Sequence, residues 1–201
     1  EAARFFPDYS ERDKVLAYAV LGGIPHYLNQ FRPELSVQEN IKRNILTKGS
    51  VLYSEADFLL HQELRETPIY NAIIEAVALG STKLNDISQK SLLEDTSKTS
   101  VYLKNLIELG IVRREFSVDA GTKEKANANR GTYRLTDHFF RFWYAFGFAN
   151  LSQLEDGDVE GVYEYLVRPA LHEFASSVFE DVCREFVREL QKKNALPFRY
   201  A

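Results

Sequence analysis

The sequence predicts a mainly helical protein that contains one small β-hairpin. Apolar residues recur at helical spacing along most of the 201 residues, whereas strand-forming composition is confined to residues 111–118 and 132–136. With 45% hydrophobic and 13% aromatic residues, the chain has ample material for hydrophobic cores. We expect three regions, residues 1–66, 67–136 and 137–201.

Residues 1–66 are predicted to form a small helical bundle. The strings SERD at 10–13 and SVQE at 36–39 have the spacing of a capping box, in which a serine and an acidic residue satisfy the first N–H groups of a helix. The string GGIP at 22–25 ends the first of these helices and can start the next. Short helices are marginal in water, so we expect them to pack together or against a neighbour.

Residues 67–136 carry three helix signals followed by two strands. Pro68 can open the first helix, which Gly80 ends, and a second short helix follows. The third helix is predicted to be capped near Thr96 or Ser97 and to end at Gly110. Three helices followed by a hairpin are the order of a winged helix-turn-helix domain, a layout that usually contacts a DNA duplex.

The third of these helices is the predicted DNA-reading helix. Its inward face is predicted to consist of Val101, Leu103, Leu106 and Ile107. Its outward face is predicted to consist of Lys98, Thr99, Tyr102, Lys104 and Asn105. Because these five residue types contact phosphates and base edges, we expect them to bind DNA.

The loop between the two strands is the predicted wing. Residues 119–131 include no apolar residue larger than alanine, and loops of this length in compact domains are usually functional or mobile. We expect Lys123, Lys125 and Arg130 to contact DNA. Residues 113–134 carry a local net charge of +3 in a chain whose net charge is −4. This segregation predicts weak, salt-dependent binding of double-stranded DNA, although a solvated or protein-binding wing remains open.

Residues 137–201 begin with a strongly aromatic helix that Asp137 can cap. Its aromatic residues at 139–148 cover more than one helix face, which predicts a core or an interdomain seam and leaves a base-stacking platform as the alternative. An acidic connector at 151–161 precedes an amphipathic helix over 163–190, which Pro169 is expected to interrupt. The single cysteine, Cys183, is typical of a small buried apolar group rather than a nucleophile.

Complete catalytic motifs are missing from the sequence. Neither GxxxxGK[ST] nor GxGxxG occurs, no GxSxG marks a nucleophile, and the four histidines are scattered, so enzymatic activity stays open. The sequence contains no apolar run long enough to span a membrane, and we expect no membrane partner and a cytoplasmic protein. The absence of methionine and the start at Glu1 favour a fragment of a longer protein.

Four strings in the first region, FFPDYS, AYAVLGGIPHYL, ENIKRNIL and FLLHQELRE, are followed by the predicted winged helix. Together they resemble the region that follows the ATPase core in archaeal-type STAND ATPases of the AAA+ superfamily. The resemblance implies that residues 1–66 form a lid on the nucleotide and that Gly23 and Pro25 approach the adenine. It also implies that ATP and magnesium bind mainly to a P-loop domain outside this chain. From the residues alone, the segment from Gly22 to Pro25 is only a break between two helices.

The strings DHFFRFWYAF and SVFEDVCREF resemble the segment that leads into a domain related to PD-(D/E)xK nucleases. The resemblance implies that residues 137–201 are the entry helices of a truncated nuclease-like domain, with Glu180 matching a glutamate that supports the metal centre. The sequence lacks the strands that would supply the rest of such a site.

The combined expectation is the C-terminal regulatory and DNA-binding portion of a P-loop STAND/AAA+ ATP-binding protein. Its partners would be double-stranded DNA and its own ATPase domain, with nucleotide state coupled to the winged helix. The alternative is a protein-interaction adaptor or dimerisation module whose winged helix does not bind DNA and which docks through the aromatic helix. The oligomeric state is open.

Overall fold

The computed structural model of the chain describes residues 1–55, 67–93, 95–116 and 131–195. Within these ranges the protein is mainly helical, with one two-stranded antiparallel sheet. Among the helices of these ranges, none combines the length and apolar composition that a membrane span requires.

The first region contains short helices with the predicted caps. A 3-10 turn, Ala2–Phe5, precedes α1 (Glu11–Leu21), α2 (Pro25–Leu28) and α3 (Val37–Asn40), and α3 continues as a π-helical segment, Ile41–Leu46. Residues 51–55 are also helical. The Ser10 hydroxyl accepts from the Asp13 N–H, and the Ser36 hydroxyl accepts from the Glu39 N–H, each at 3.1 Å. Both predicted helix starts are confirmed.

The middle region has the predicted order of elements. The helices are α4 (Thr67–Ala78), α5 (Leu84–Lys90) and α6 (Thr96–Glu108), and the strands are β1 (Val112–Glu115) and β2 (Thr132–Leu135). The strands pair antiparallel, with Val112 opposite Leu135 and Arg113 opposite Arg134. The Tyr133 N–H donates to the Thr82 carbonyl at 2.9 Å, so the segment between α4 and α5 lies beside β2.

The last region consists of two runs of consecutive helical segments. The first run comprises α7 (His138–Phe142), a π-helical segment (Trp143–Gly147), a 3-10 turn (Phe148–Asn150) and α8 (Leu151–Glu155). The second run comprises α9 (Val159–Val162), a π-helical segment (Tyr163–Val167) and α10 (Arg168–Lys192). Asp137 caps α7 as predicted, accepting from the N–H groups of Phe139 and Phe140. Pro169 lies where the π-helical segment passes directly into α10, and the helical run continues through it, so the expected interruption is wrong.

A single hydrophobic cluster runs from the first region to the last. Helix α1 packs against α7 and α10, and α4 packs against β2 and the 143–147 segment. The aromatic side chains of α7 and its continuation are buried in this cluster: Phe139, Phe140, Phe142, Trp143, Tyr144 and Phe146. The predicted burial of this helix is confirmed, and its rings are too enclosed to stack on bases or to dock a partner. The domain boundaries stay a prediction, because residues of all three regions share the cluster.

Two expectations about exposure are wrong. On α6, Leu103 and Leu106 are buried as predicted, but Val101 is 60% exposed, Ile107 is also exposed, and Thr99 is buried in their place. The helix is therefore rotated from the predicted orientation. Cys183 is exposed on α10 and is not the buried apolar group that was expected.

Candidate nucleic-acid interface

The start of α6 is fixed by a carboxylate cap. The Asp95 side chain accepts from the Ser97 N–H at 2.8 Å, so the cap lies one residue before the predicted Thr96 or Ser97. This backbone hydrogen bond is the main reason that the pKa of Asp95 lies below its ordinary value. A charged carboxylate at this end also interacts favourably with the helix dipole.

Thr99 locks α6 onto α5 and is not available to DNA. Its hydroxyl lies 3.0 Å from the Ser88 hydroxyl and 3.1 Å from the Asp95 carbonyl oxygen. Ser88 in turn donates to the Leu93 carbonyl at 2.5 Å. Because Thr99 has no exposed surface, its predicted outward position is wrong, and its role is to hold the two helices at a fixed angle.

Tyr102 and Asn105 both meet Tyr70 of α4. The rings of Tyr102 and Tyr70 are perpendicular, with centroids 5.0 Å apart. The Asn105 amide donates to the Tyr70 hydroxyl at 2.8 Å. Both predicted contact residues are partly buried, so they present only part of their surface and mainly position α6 on α4.

Lys98 and Lys104 are exposed on α6, as predicted. The Lys104 ammonium lies 3.7 Å from the Glu108 carboxylate, a contact between exposed groups that solvent and salt weaken. Val101 lies between the two lysines on the exposed side. The accessible surface of the helix therefore carries charges of both signs, Asp95 and Lys98 near its start and Lys104 and Glu108 near its end.

The arginines at the base of the hairpin are held by carboxylates. Arg113 and Arg134 are directly opposite each other, and the Glu115 side chain lies 2.8 Å from Arg113 and 3.0 Å from Arg134. Asp181 of α10 is 3.5 Å from Arg113. Arg114 lies over the rings of Phe116 and Tyr133. The positive charge of this base is partly compensated within the protein, which the residue count could not reveal.

The sequence carried no signal for the contact between Arg113 and Asp181. The two residues are 68 positions apart, and only the packing of α10 brings them together. The wing residues Lys123, Lys125 and Arg130 lie outside the described residues.

The predicted nucleotide-contacting turn is exposed between α1 and α2. Gly22 has φ +69°, a left-handed conformation that favours glycine, and a Cβ added there would lie 3.5 Å from the Cβ of His138 and 3.7 Å from the Cγ of its ring. Gly23 and Pro25 are exposed, and Pro25 occupies the first turn of α2. The turn is therefore accessible to a ligand while one side of it rests on α7.

His138 ties this turn to the rest of the protein. Its Nδ1 lies 3.1 Å from the Tyr18 carbonyl oxygen, which can only accept, so Nδ1 carries the proton of this bond. Burial lowers the pKa of the imidazole from its ordinary value, although this hydrogen bond and the charge of Asp137 act in the opposite direction. The histidine therefore favours its neutral form.

Within the described ranges, no group of three or more histidine, cysteine, aspartate or glutamate side chains is arranged to hold a metal ion. Glu180, the match to a nuclease glutamate, lies on α10 at 3.6 Å from Arg184.

Comparison with known proteins gives two similarities. The profile of the DUF234 family, described as "Archaea bacterial proteins of unknown function", matches residues 143–201. An uncharacterized protein of Methanocaldococcus jannaschii, MJECL04, is 33% identical over 198 residues, a region that covers 98% of this chain and 42% of the relative. The chain thus spans less than half of that relative's length. No solved structure matches the chain.

Proposed function

We propose that this chain, whose residues 143–201 are similar to the DUF234 family, is the regulatory and DNA-facing part of a longer P-loop ATPase. In this proposal residues 67–136 are a winged helix that binds double-stranded DNA weakly, and the Gly23–Pro25 turn contacts the adenine of ATP held with magnesium by the ATPase domain. The DNA contacts come from Lys98, Lys104 and the wing residues Lys123, Lys125 and Arg130.

The arrangement of α4, α5, α6 and the hairpin carries the proposal. The hydrogen bond from Tyr133 to Thr82 holds the segment between α4 and α5 beside the hairpin, which supports a winged-helix layout. Thr99 fixes the angle between α5 and α6, the pair that would form the helix-turn-helix. This leaves one side of α6 open to a duplex, with lysines at both ends of the open stretch.

The charges set the expected strength of binding. Two lysines on α6 face solvent, whereas Arg113 and Arg134 are already paired with carboxylates. Few cations remain for phosphates, so affinity should be low and should fall steeply with salt. Thr99 takes no part, and Tyr102 and Asn105 contribute mainly by orienting α6.

Duplex binding is tested by fluorescence anisotropy with a short labelled duplex at low salt. The variant Lys98→Ala/Lys104→Ala should bind about tenfold more weakly and should show a salt slope reduced by about two. The wing variant Lys123→Ala/Lys125→Ala/Arg130→Ala should behave in the same way. The matched control is Arg12→Ala/Lys48→Ala, which removes two exposed cations of the first region. Equal losses in the control, or no loss in either test variant, would refute a specific interface.

Coupling between nucleotide and DNA is proposed from the contacts of the turn. Gly22 rests on His138, and His138 begins α7 three residues after β2 ends. A nucleotide that displaces the turn would therefore act on the base of the hairpin. In the full-length protein, ATP should change duplex affinity and hydrogen exchange across residues 63–73. If neither quantity responds to saturating ATP, the coupling proposal fails.

The second candidate is a protein-interaction module, which the exposed apolar residues near α6 favour. Leu92, in the turn before α6, is 89% exposed, and Val101 is also exposed. Apolar groups of this kind are typical of protein contacts rather than of phosphate contacts. This candidate predicts that the unmodified chain does not bind the duplex in the anisotropy assay.

A further inference from the structure

Val101 lies at the centre of the open side of α6. The buried side of this helix carries Thr99, Leu103 and Leu106, and the helix packs against α4, α5 and β1. Around the helix axis, Val101 is turned by about 200° from Thr99 and by the same angle from Leu103. Its side chain therefore points away from the elements on which α6 packs, and 60% of its surface is exposed.

The charges nearest to Val101 along this side are positive. Lys98 and Lys104 lie three positions before and after it, and both are exposed. Asp95 is bonded to the backbone that it caps at the end of the helix. Glu108 lies about two turns beyond Val101, and its contact with Lys104 joins exposed groups, so water weakens it. This side of α6 thus suits an anionic ligand that offers an apolar group between its charges.

Double-stranded DNA has this combination in its major groove. Phosphates border the groove, and thymine, with its 5-methyl group, is the one base that exposes an apolar group there. The groove is about 12 Å wide and admits one α-helix, and helix-turn-helix proteins place the first part of their second helix in it. In the proposed winged helix this second helix is α6, and Val101 lies in its first half.

A valine at this position distinguishes thymine from the other bases. Its side chain neither donates nor accepts, so against guanine, cytosine or adenine it would cover polar groups without replacing their hydrogen bonds to water. Against the thymine methyl group it buries apolar surface on both partners. Thr99 and Asn105 fix α6 through Ser88 and Tyr70, so Val101 is presented without prior rearrangement of the helix.

We propose that Val101 gives this chain a preference for thymine, by contact with the 5-methyl group in the major groove. This inference rests on the proposed DNA-binding function and deepens it. Lys98 and Lys104 contact phosphates whatever the sequence, whereas Val101 selects the base. Thr99, which was predicted to contact DNA, cannot take this role because it is buried.

The thymine contact is tested with two labelled duplexes that differ only in the methyl group. One consists of alternating adenine and thymine, and in the other uracil replaces every thymine, so no target site has to be known. Fluorescence anisotropy at low salt should show that the chain binds the thymine duplex about fourfold more tightly, the effect of burying one methyl group. Because this contact releases no counterions, the ratio should stay constant while added salt lowers both affinities.

Substitution of Val101 assigns the preference to this side chain. Val101→Ser should bind both duplexes as weakly as the unmodified chain binds the uracil duplex. The matched control is Val51→Ser, which removes a valine of similar exposure, 54%, from the first region and should keep the fourfold ratio. Lys98→Ala/Lys104→Ala should weaken binding to both duplexes and also keep the ratio. Circular dichroism confirms that each variant is folded.

The outcomes separate the thymine contact from DNA binding as a whole. Equal binding of both duplexes by the unmodified chain would overturn the thymine contact and leave the DNA-binding function standing. A preference that survives Val101→Ser would place the recognition of the methyl group elsewhere and would also overturn the inference. If neither duplex binds, the proposed function itself fails, and the thymine contact fails with it.

Discussion

At the scale of single residues, Thr99 shows how one hydroxyl determines the surface of a helix. Its hydrogen-bonding contacts with Ser88 and Asp95 require that it point toward α5. Once Thr99 points inward, Val101 must point outward, because side chains two positions apart on a helix are separated by about 200° around its axis. The buried polar group thus decides which side of α6 any partner can reach.

The variant Thr99→Val should lower the free energy of unfolding by about 1–3 kcal/mol, because it keeps the shape but removes the buried hydrogen bond. Chemical denaturation followed by circular dichroism measures this loss. The reverse substitution at an exposed position, Val101→Thr, should change stability by less than about 0.5 kcal/mol. Equal effects of the two variants would mean that the Thr99 contacts do not stabilise the protein.

At the scale of elements, the π-helical segment Trp143–Gly147 depends on a glycine for its packing. A Cβ at position 147 would lie 2.5 Å from Cε3 of Trp143, closer than real contacts allow. Trp143 cannot move away easily, because its buried ring packs edge-on against Tyr53, with centroids 5.1 Å apart. Because Gly147 has no Cβ, the Trp143 ring can pack directly against the backbone of the π-helical segment.

Gly147→Ala should destabilise the protein by about 1–3 kcal/mol through overpacking against Trp143. The loss appears as a lower thermal midpoint, together with a changed fluorescence of this single tryptophan. Gly23→Ala is the matched control, because its added Cβ would meet the Tyr18 ring at an ordinary 3.8 Å. A larger loss in the control than in Gly147→Ala would contradict the packing argument.

Local signals predicted much of the element order but not the rotation of α6. The caps at Ser10, Ser36 and Asp137 depend on residues only a few positions apart, so the sequence contains them in full. The burial of Thr99 depends on its hydrogen bond with Ser88, which lies on another helix. Apolar periodicity within α6 alone predicts that Val101 points inward, because it takes no account of that bond. The carboxylates that pair with the hairpin arginines include Asp181, which only the tertiary packing brings close.

At the scale of the whole molecule, the three predicted regions share one hydrophobic cluster. Val20 and Leu21 of α1, Ile73 of α4 and Phe142 of α7 are all fully buried within it. The predicted lid therefore packs directly on the helices of the last region. Such a core favours unfolding in a single cooperative step.

Thermal unfolding should give the same midpoint by tryptophan fluorescence and by far-ultraviolet circular dichroism. The first signal reports on Trp143, which lies in the shared core beside Tyr53, and the second reports on all helices. The substitution Ile41→Ala, in the first region, removes buried apolar volume and should lower the free energy of unfolding by about 2–5 kcal/mol. Both midpoints should fall by the same amount. Two separated transitions would show that the regions unfold independently.

The junction between β2 and α7 has a mechanical consequence. Only Thr136 and Asp137 separate the two elements, and both are anchored, Thr136 by donating its N–H to the Ile111 carbonyl and Asp137 by capping α7. A connection this short leaves no slack, so the hairpin cannot swivel as a free arm. Force applied to the hairpin by any bound molecule is therefore transmitted to the aromatic core, and the hairpin moves together with α7 rather than independently of it.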